Sequence, residues 1–279
     1  MFYTKEMFLD AINERGYNGQ LQVVTKNGVE MNSVVFKKED SCTAPNIYID
    51  EVLDAINEGK VDFEVAVNRV IVQYEEHKDV SFDLEVLKDK EYFLEHTYIA
   101  LQRAGEEPLV KRECGFEGVE AYLYIRVDVD NEGMSSIKLN NKILELVGLA
   151  EEEVWKAAER NTFAETTVKP IFSAISDMLD TDLDEEFLEE VSDGLFVFSN
   201  KSMNCGASAI LDKKALKKFA DMVNATKFFV LPSSRHEIIV VPDRGNMSLD
   251  SLTELVQTVN MSEVNPVDQL ADRAFEIAI

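Results

Sequence analysis

The stretch 194–242 constrains this chain more than any other: GLFVFSNKSMNCGASAILDKKALKKFADMVNATKFFVLPSSRHEIIVVP. It holds four short apolar runs, at 195–198, 207–211, 228–231 and 238–241. Each has strand length, and Val, Ile and Phe suit a pleated, buried surface. Between the second and third runs, Leu216, Phe219, Ala220 and Val223 fall on one face of a helix, with Asp212 placed before them as an N-cap. The order strand, strand, helix, strand, strand predicts an α+β fold with a mixed or antiparallel sheet. The last two strands are joined at Pro232-Ser233-Ser234-Arg235, a hairpin-length turn.

Upstream, Lys26-Asn27-Gly28 separates two strands at 20–25 and 29–37, because Asn-Gly supplies the positive φ angles of a tight hairpin. Residues 48–57 read as a helix stopped by Gly59. The segment 61–77 is rich in Val, but Phe63, Val67, Val70 and Tyr74 keep helical spacing, and its length exceeds that of most strands. Residues 86–105 are expected to be a helix or helix pair. Gly105, Pro108 and Gly115 then interrupt the pattern, which places a boundary between an N-terminal α+β unit, 1–105, and a C-terminal α+β domain, 106–279. Beyond it come a strand at 119–129, a turn at 130–133 and a returning strand at 137–139. Helices follow at 140–147 and 151–160, parted by Gly148, then at 170–179. Trp155 reads as a core anchor. From Asp177 to Asp193 there are nine acids and no base, read as an exposed helix or ordered loop. A last amphipathic helix carries Leu252, Leu255, Val256 and Val259, capped by Ser251 with Glu254 or by Ser248.

The 279 residues carry 53 acids against 28 bases, a net charge of −25. Such a surface repels phosphate backbones and anionic lipid, so direct nucleic-acid binding and membrane binding are not expected. No apolar run reaches the ~18 residues of a membrane span. The opening residues form an amphipathic helix and not a signal peptide, so a cytoplasmic protein is expected. Cys42, Cys114 and Cys205 are too widely spaced for a disulfide framework or a zinc site, and they read as reduced structural thiols.

The densest group of chemically capable side chains is Ser233, Ser234, Arg235, His236 and Glu237, in the turn after a buried strand. A Ser–His pair has the residue types of nucleophilic catalysis, but no Gly-x-Ser-x-Gly elbow or third orienting group accompanies it. Serines in turns ordinarily bond their own backbone, which favours a binding or structural turn. Asp128, Asp130, Glu132 and Gly133 imitate the start of a calcium loop, but its twelfth position is Leu139. Asp180, Asp182 and Asp184 do the same, with Glu185 in place of the glycine and Val191 in place of the bidentate Glu. A hairpin turn and a solvated face account for these two better. Lys213, Lys214, Lys217 and Lys218 fit the exposed side of an amphipathic helix, or a surface for an acidic partner or a phosphate. No metal or cofactor motif is present, and none is expected.

The words GASAILD at 206–212 and VLPSSRHEIIVVPD at 230–243 resemble a bacterial domain-of-unknown-function family. VTKNGVEMNSVVF, APNIYIDEV and TVNMSEVNPVDQLAD extend the resemblance along nearly the whole chain. It implies a cytoplasmic protein, often of gut anaerobes and sometimes carried on mobile elements. The family has no established activity, so it transfers no catalytic residue. The expectation is therefore a non-enzymatic interaction or regulatory protein that meets a protein partner at the turn 233–237. Two alternatives stand beside it: a hydrolase centred on Ser234 and His236, and an acidic nucleic-acid mimic of a mobile element.

Overall fold

Asn27 and Gly28 take φ values of 53° and 77°, the left-handed pair that a two-residue hairpin turn needs. They join β1 (Gly19–Lys26) to β2 (Val29–Phe36) in an uninterrupted antiparallel register from Gly19↔Phe36 to Lys26↔Val29. The computed structural model describes residues 2–36, 46–78, 84–130, 133–174, 194–232 and 234–279. These fall into two compact units, Met1–Leu84 and Glu85–Ile279.

In the first unit, β3 (Asn46–Tyr48) completes the sheet β1-β2-β3. Three helices accompany it: α1 (Lys5–Glu14), α2 (Asp50–Asn57) and α3 (Phe63–His77). Helix wins over strand in α3 because Asp62 caps it, accepting from the Glu64 and Val65 N–H groups, and because Ala66, Val67, Val70 and Ile71 form one buried stripe. That stripe packs with Phe8, Ile12, Val34, Phe36 and Ile56 into the core of the unit.

The division falls at the start of a 3₁₀ segment, Leu84–Lys88, after which the second unit continues with α4 (Lys90–His96) and β4 (Thr97–Arg103). The helix expected over 86–105 is thus half strand. β4 pairs along its whole length with β6 (Val119–Asp130), whose alternating Ala121, Leu123 and Ile125 are all buried. A cut near residue 105 would sever this pairing, and the compact units divide at Leu84/Glu85 instead. β5 (Lys111–Glu113) and β7 (Gly133–Lys138) pair with successive parts of β6 to complete a four-stranded sheet. Asp128 and Asp130 therefore lie in a hairpin strand, while Glu132 is outside the described residues. α5 (Asn141–Val147) ends at Gly148 in the left-handed conformation, and α6 (Glu151–Ala164) follows. Trp155 is 3% exposed, the core position expected of it.

The remaining strands are β8 (Thr166–Pro170), β9 (Phe196–Asn200), β10 (Lys227–Leu231), β11 (Ile238–Pro242) and β12 (Phe275–Ala278). They form an antiparallel sheet in the order β12-β10-β11-β9-β8. Alternation along β10 assigns its two faces. Phe228 meets Phe219 of α7 (Lys213–Val223), which also packs edge-on against Phe196 and Phe198. Phe229 and Leu231 turn the other way, onto Leu252 and Val256 of α8 (Leu249–Ser262). Each such aromatic contributes about 2–3 kcal/mol through burial. Ser248 supplies the cap of α8, accepting from the Ser251 N–H at 3.1 Å.

The architecture is α+β with antiparallel sheets, as the sequence predicts, with one correction inside the central stretch. The run 207–211 is not a strand but lies in a 3₁₀ segment, Gly206–Leu211, with every residue from Gly206 to Ile210 buried. The helix expected over 170–179 and the acid-rich run 177–193 lie partly or wholly outside the described residues, as does Cys42.

Candidate functional site

Six residues, 232–237, connect β10 to β11. Ser233 lies outside the described residues, and the other four expected site residues are held by contacts with three distant segments. Ser234 is 6% exposed and bridges to Gln269. Its Oγ accepts the His236 backbone N–H at 3.0 Å. This is the ordinary use of a turn serine.

Arg235 is anchored at both ends. Its backbone N–H donates to the Asp268 carbonyl at 2.7 Å, and its own carbonyl accepts from the Ala207 N–H at 3.2 Å. The guanidinium reaches the neighbouring sheet, where Nη2 donates to the Tyr122 hydroxyl at 3.2 Å and to the Cys205 Sγ at 2.9 Å. Burial works against its charge, but the hydrogen bond to Cys205 and the nearby Asp268 carboxylate help hold its pKa above the usual arginine value. Burial also lifts the Tyr122 phenol, and it pushes Tyr124 up to about 12, so both hydroxyls stay neutral.

His236 lies between two partners that sequence reasoning missed. Its Nδ1 accepts the Cys205 backbone N–H at 3.3 Å, and its Nε2 faces Asp268 Oδ1 at 3.3 Å. An Nδ1 acting as acceptor places the neutral ring's proton on Nε2, toward the carboxylate. The His236 carbonyl accepts from the Ser199 hydroxyl at 2.8 Å. Glu237 is half-buried, and burial raises its carboxyl above the usual value against the opposing pull of His236 and Ser234.

Asn200 shapes the approach to Cys205. Its amide nitrogen donates to the Asn204 carbonyl and its oxygen accepts from the Ser202 hydroxyl and the Asn204 N–H. Cys205 then takes a left-handed conformation, φ 53°, directly before the 3₁₀ segment. Gly206 is the one residue type this corner accepts. A Cβ there would lie 2.6 Å from the Asn200 nitrogen and 2.7 Å from the His236 carbonyl oxygen.

The expected residues are thus together, but not as a Ser–His pair. Among the described residues the imidazole's partners are Cys205 and Asp268, and the Ser234 hydroxyl is not one of them. Cys205 and Asp268 sit in the words NCGASAIL and NPVDQLAD. Reading Cys205 as a structural thiol hid it, and nothing local marks Asp268, whose role depends on a contact across 32 residues. Among the described residues no three His, Cys, Asp or Glu side chains gather as metal ligands. No described helix is long and apolar enough to cross a membrane.

Comparison with known proteins gives the sequence words a home. No curated protein and no solved structure matches the chain. A family model, described as a family of unknown function (DUF5688), matches residues 3–276, and the chain belongs to that family.

Proposed function

We propose that the protein is a non-enzymatic interaction or regulatory protein of the bacterial cytoplasm, and that it meets a protein partner at the outer edge of the turn 234–237. The observation that carries this reading is the engagement of His236 on both ring nitrogens. A general base needs a free lone pair aimed at the proton it removes. Here Nδ1 is occupied by Cys205, Nε2 faces Asp268, and the Ser234 hydroxyl is held by the turn itself. What remains for a partner is the half-buried Glu237 carboxyl beside the exposed carbon edge of the His236 ring, presented from a loop fixed on two sheets. Cys114 and Cys205 are free thiols, which suits a reducing compartment.

Affinity capture from a lysate of a bacterium carrying the gene, compared between wild type and a His236→Gln, Glu237→Gln variant shown by near-UV circular dichroism to be folded, tests the reading. A stoichiometric protein partner should be retained by wild type and weakened by about tenfold in the variant. Equal capture by both removes the turn as the contact. Covalent labelling of Ser234 by a fluorophosphonate would instead establish the hydrolase.

The net charge of −25 favours one second reading, a nucleic-acid mimic. It predicts a DNA-processing enzyme captured equally by both proteins and released by moderate salt.

A further inference from the structure

Away from the turn, a cleft of about 850 Å³ opens beside α6 and the start of α7. That size falls within the range of sites for small organic ligands. Its floor is apolar, from Ile99, Ala121, Trp155 and Phe163. Arg112 fixes one wall: its guanidinium stacks over the Trp155 ring at 4.6 Å and pairs with Glu152 at 2.8 Å and Glu151 at 3.4 Å. Trp155 is held from its other end by an Nε1–H bond to Glu151 at 3.1 Å. The floor is therefore rigid and the Arg112 charge is spent.

The rim is different. Lys156, Arg160, Lys213 and Lys214 all line the cleft, and among the described residues none of them is within ion-pair distance of a carboxylate. Three acids share the lining. Asp212 is consumed as the cap of α7, accepting from the Lys214 and Ala215 N–H groups at 3.0 and 3.1 Å, while Glu113 and Glu159 are exposed. With Arg112 already paired, the four remaining bases against three acids still leave the lining with a charge of +1 in a chain whose net charge is −25. Burial raises the Cys114 thiol, so it adds no negative charge to the wall. A second hollow of about 420 Å³ shares Phe163, Asp212 and Lys214 with the first and brings Lys218 to the same groove.

We propose that this cleft binds a small organic phosphate, with a ring-sized apolar body on the floor and the phosphate held by Lys213 and Lys214 with help from Arg160 and Lys156. Ammonium and guanidinium groups are the usual phosphate partners. The acidic remainder of the surface selects for size. A nucleic acid or long acidic peptide would extend beyond the cleft into repulsion, which reaches about 10 Å at ordinary salt. A ligand that fits inside meets only the local cations.

Trp155 is the only tryptophan of the chain, so its fluorescence reports this cleft alone. The test titrates the full chain with phenyl phosphate, adenosine monophosphate, adenosine and inorganic phosphate. Phenyl phosphate or adenosine monophosphate should give a saturable change, with adenosine and inorganic phosphate at least about tenfold weaker. A Lys213→Ala, Lys214→Ala variant, altered only at exposed positions, should lose at least about tenfold in affinity. Lys142→Ala, on the exposed face of α5, should bind like wild type. The proposal is overturned if neither ring-bearing phosphate gives a saturable change by about 5 mM, or if the double variant binds as tightly as wild type. Inorganic phosphate binding as well as phenyl phosphate would overturn the role of the apolar floor.

Discussion

The backbone N–H of Cys205 donates to Nδ1 of His236 across 31 residues of sequence, at 3.3 Å. Cys205 is 4% exposed, so this donor has no ready access to water if the imidazole is removed. His236→Ala should therefore destabilise the protein by about 1–3 kcal/mol, the cost of a buried donor left unpaired. Urea unfolding followed by circular dichroism measures it. A loss below about 0.5 kcal/mol would mean that the bond contributes nothing.

Gly206→Ala places a Cβ against the Asn200 nitrogen, the His236 carbonyl and the Ser199 hydroxyl, two of them backbone atoms that cannot step aside. A loss of about 3 kcal/mol or failure to fold is expected. Gly105→Ala is the control, because its Cβ would meet only the Arg103 carbonyl oxygen, at 4.0 Å. That change should stay within about 0.5 kcal/mol of wild type, and melting temperatures of the two variants decide the point.

Burial raises the Glu237 carboxyl above its ordinary value of 4.5. A raised carboxyl binds its proton more tightly in the folded than in the unfolded state. Its contribution is then present in acid and is lost as pH rises through the folded value. Glu237→Gln, which mimics the protonated form, should be more stable than wild type at pH 7. The difference should shrink toward about pH 4. Parallel denaturation curves at the two pH values test the sign, and a variant less stable at pH 7 would contradict it.

Arg126 makes a forked pair with Glu165, at 2.9 and 3.1 Å, and lies 3.7 Å over the Tyr98 ring. The side chains are 14% and 24% exposed, so neither charge is well hydrated. Arg126→Met alone should cost about 3 kcal/mol by stranding the carboxylate, whereas Arg126→Met with Glu165→Gln should recover most of it. A double-mutant cycle reads the coupling, and simple additivity of the two changes would rule out a shared pair.

The local signals in the sequence were strong wherever one residue type dictates geometry. Asn27-Gly28 and Gly59 take the positive φ angles expected of a hairpin turn and a helix stop, and Asp212 caps α7. Failures came where short apolar runs could serve two geometries. At 207–211 the small residues Ala207, Ser208 and Ala209 pack as 3₁₀ turns against β9 and not as a strand. At 97–103 the strand follows directly on a seven-residue helix, α4, with no breaker to mark the change. The turn 234–237 was visible as a cluster of polar residues. Its chemistry was not, because the partners that commit its side chains, Tyr122, Cys205 and Asp268, come from three other segments.

β10, the inner strand beside β12, has a further consequence for the order of assembly. During synthesis β10 and β11 emerge well before residues 275–278, which cover the free edge of β10. Until then Phe228, Phe229 and Val230 present an unpaired, strongly apolar strand edge, the surface most prone to self-association. The contacts of Arg235 with Asp268 and of Ala271 with Pro232 likewise wait for residues 268–271. Such long-range closure slows folding, because the pairing of β10 with β12 joins residues far apart in the sequence.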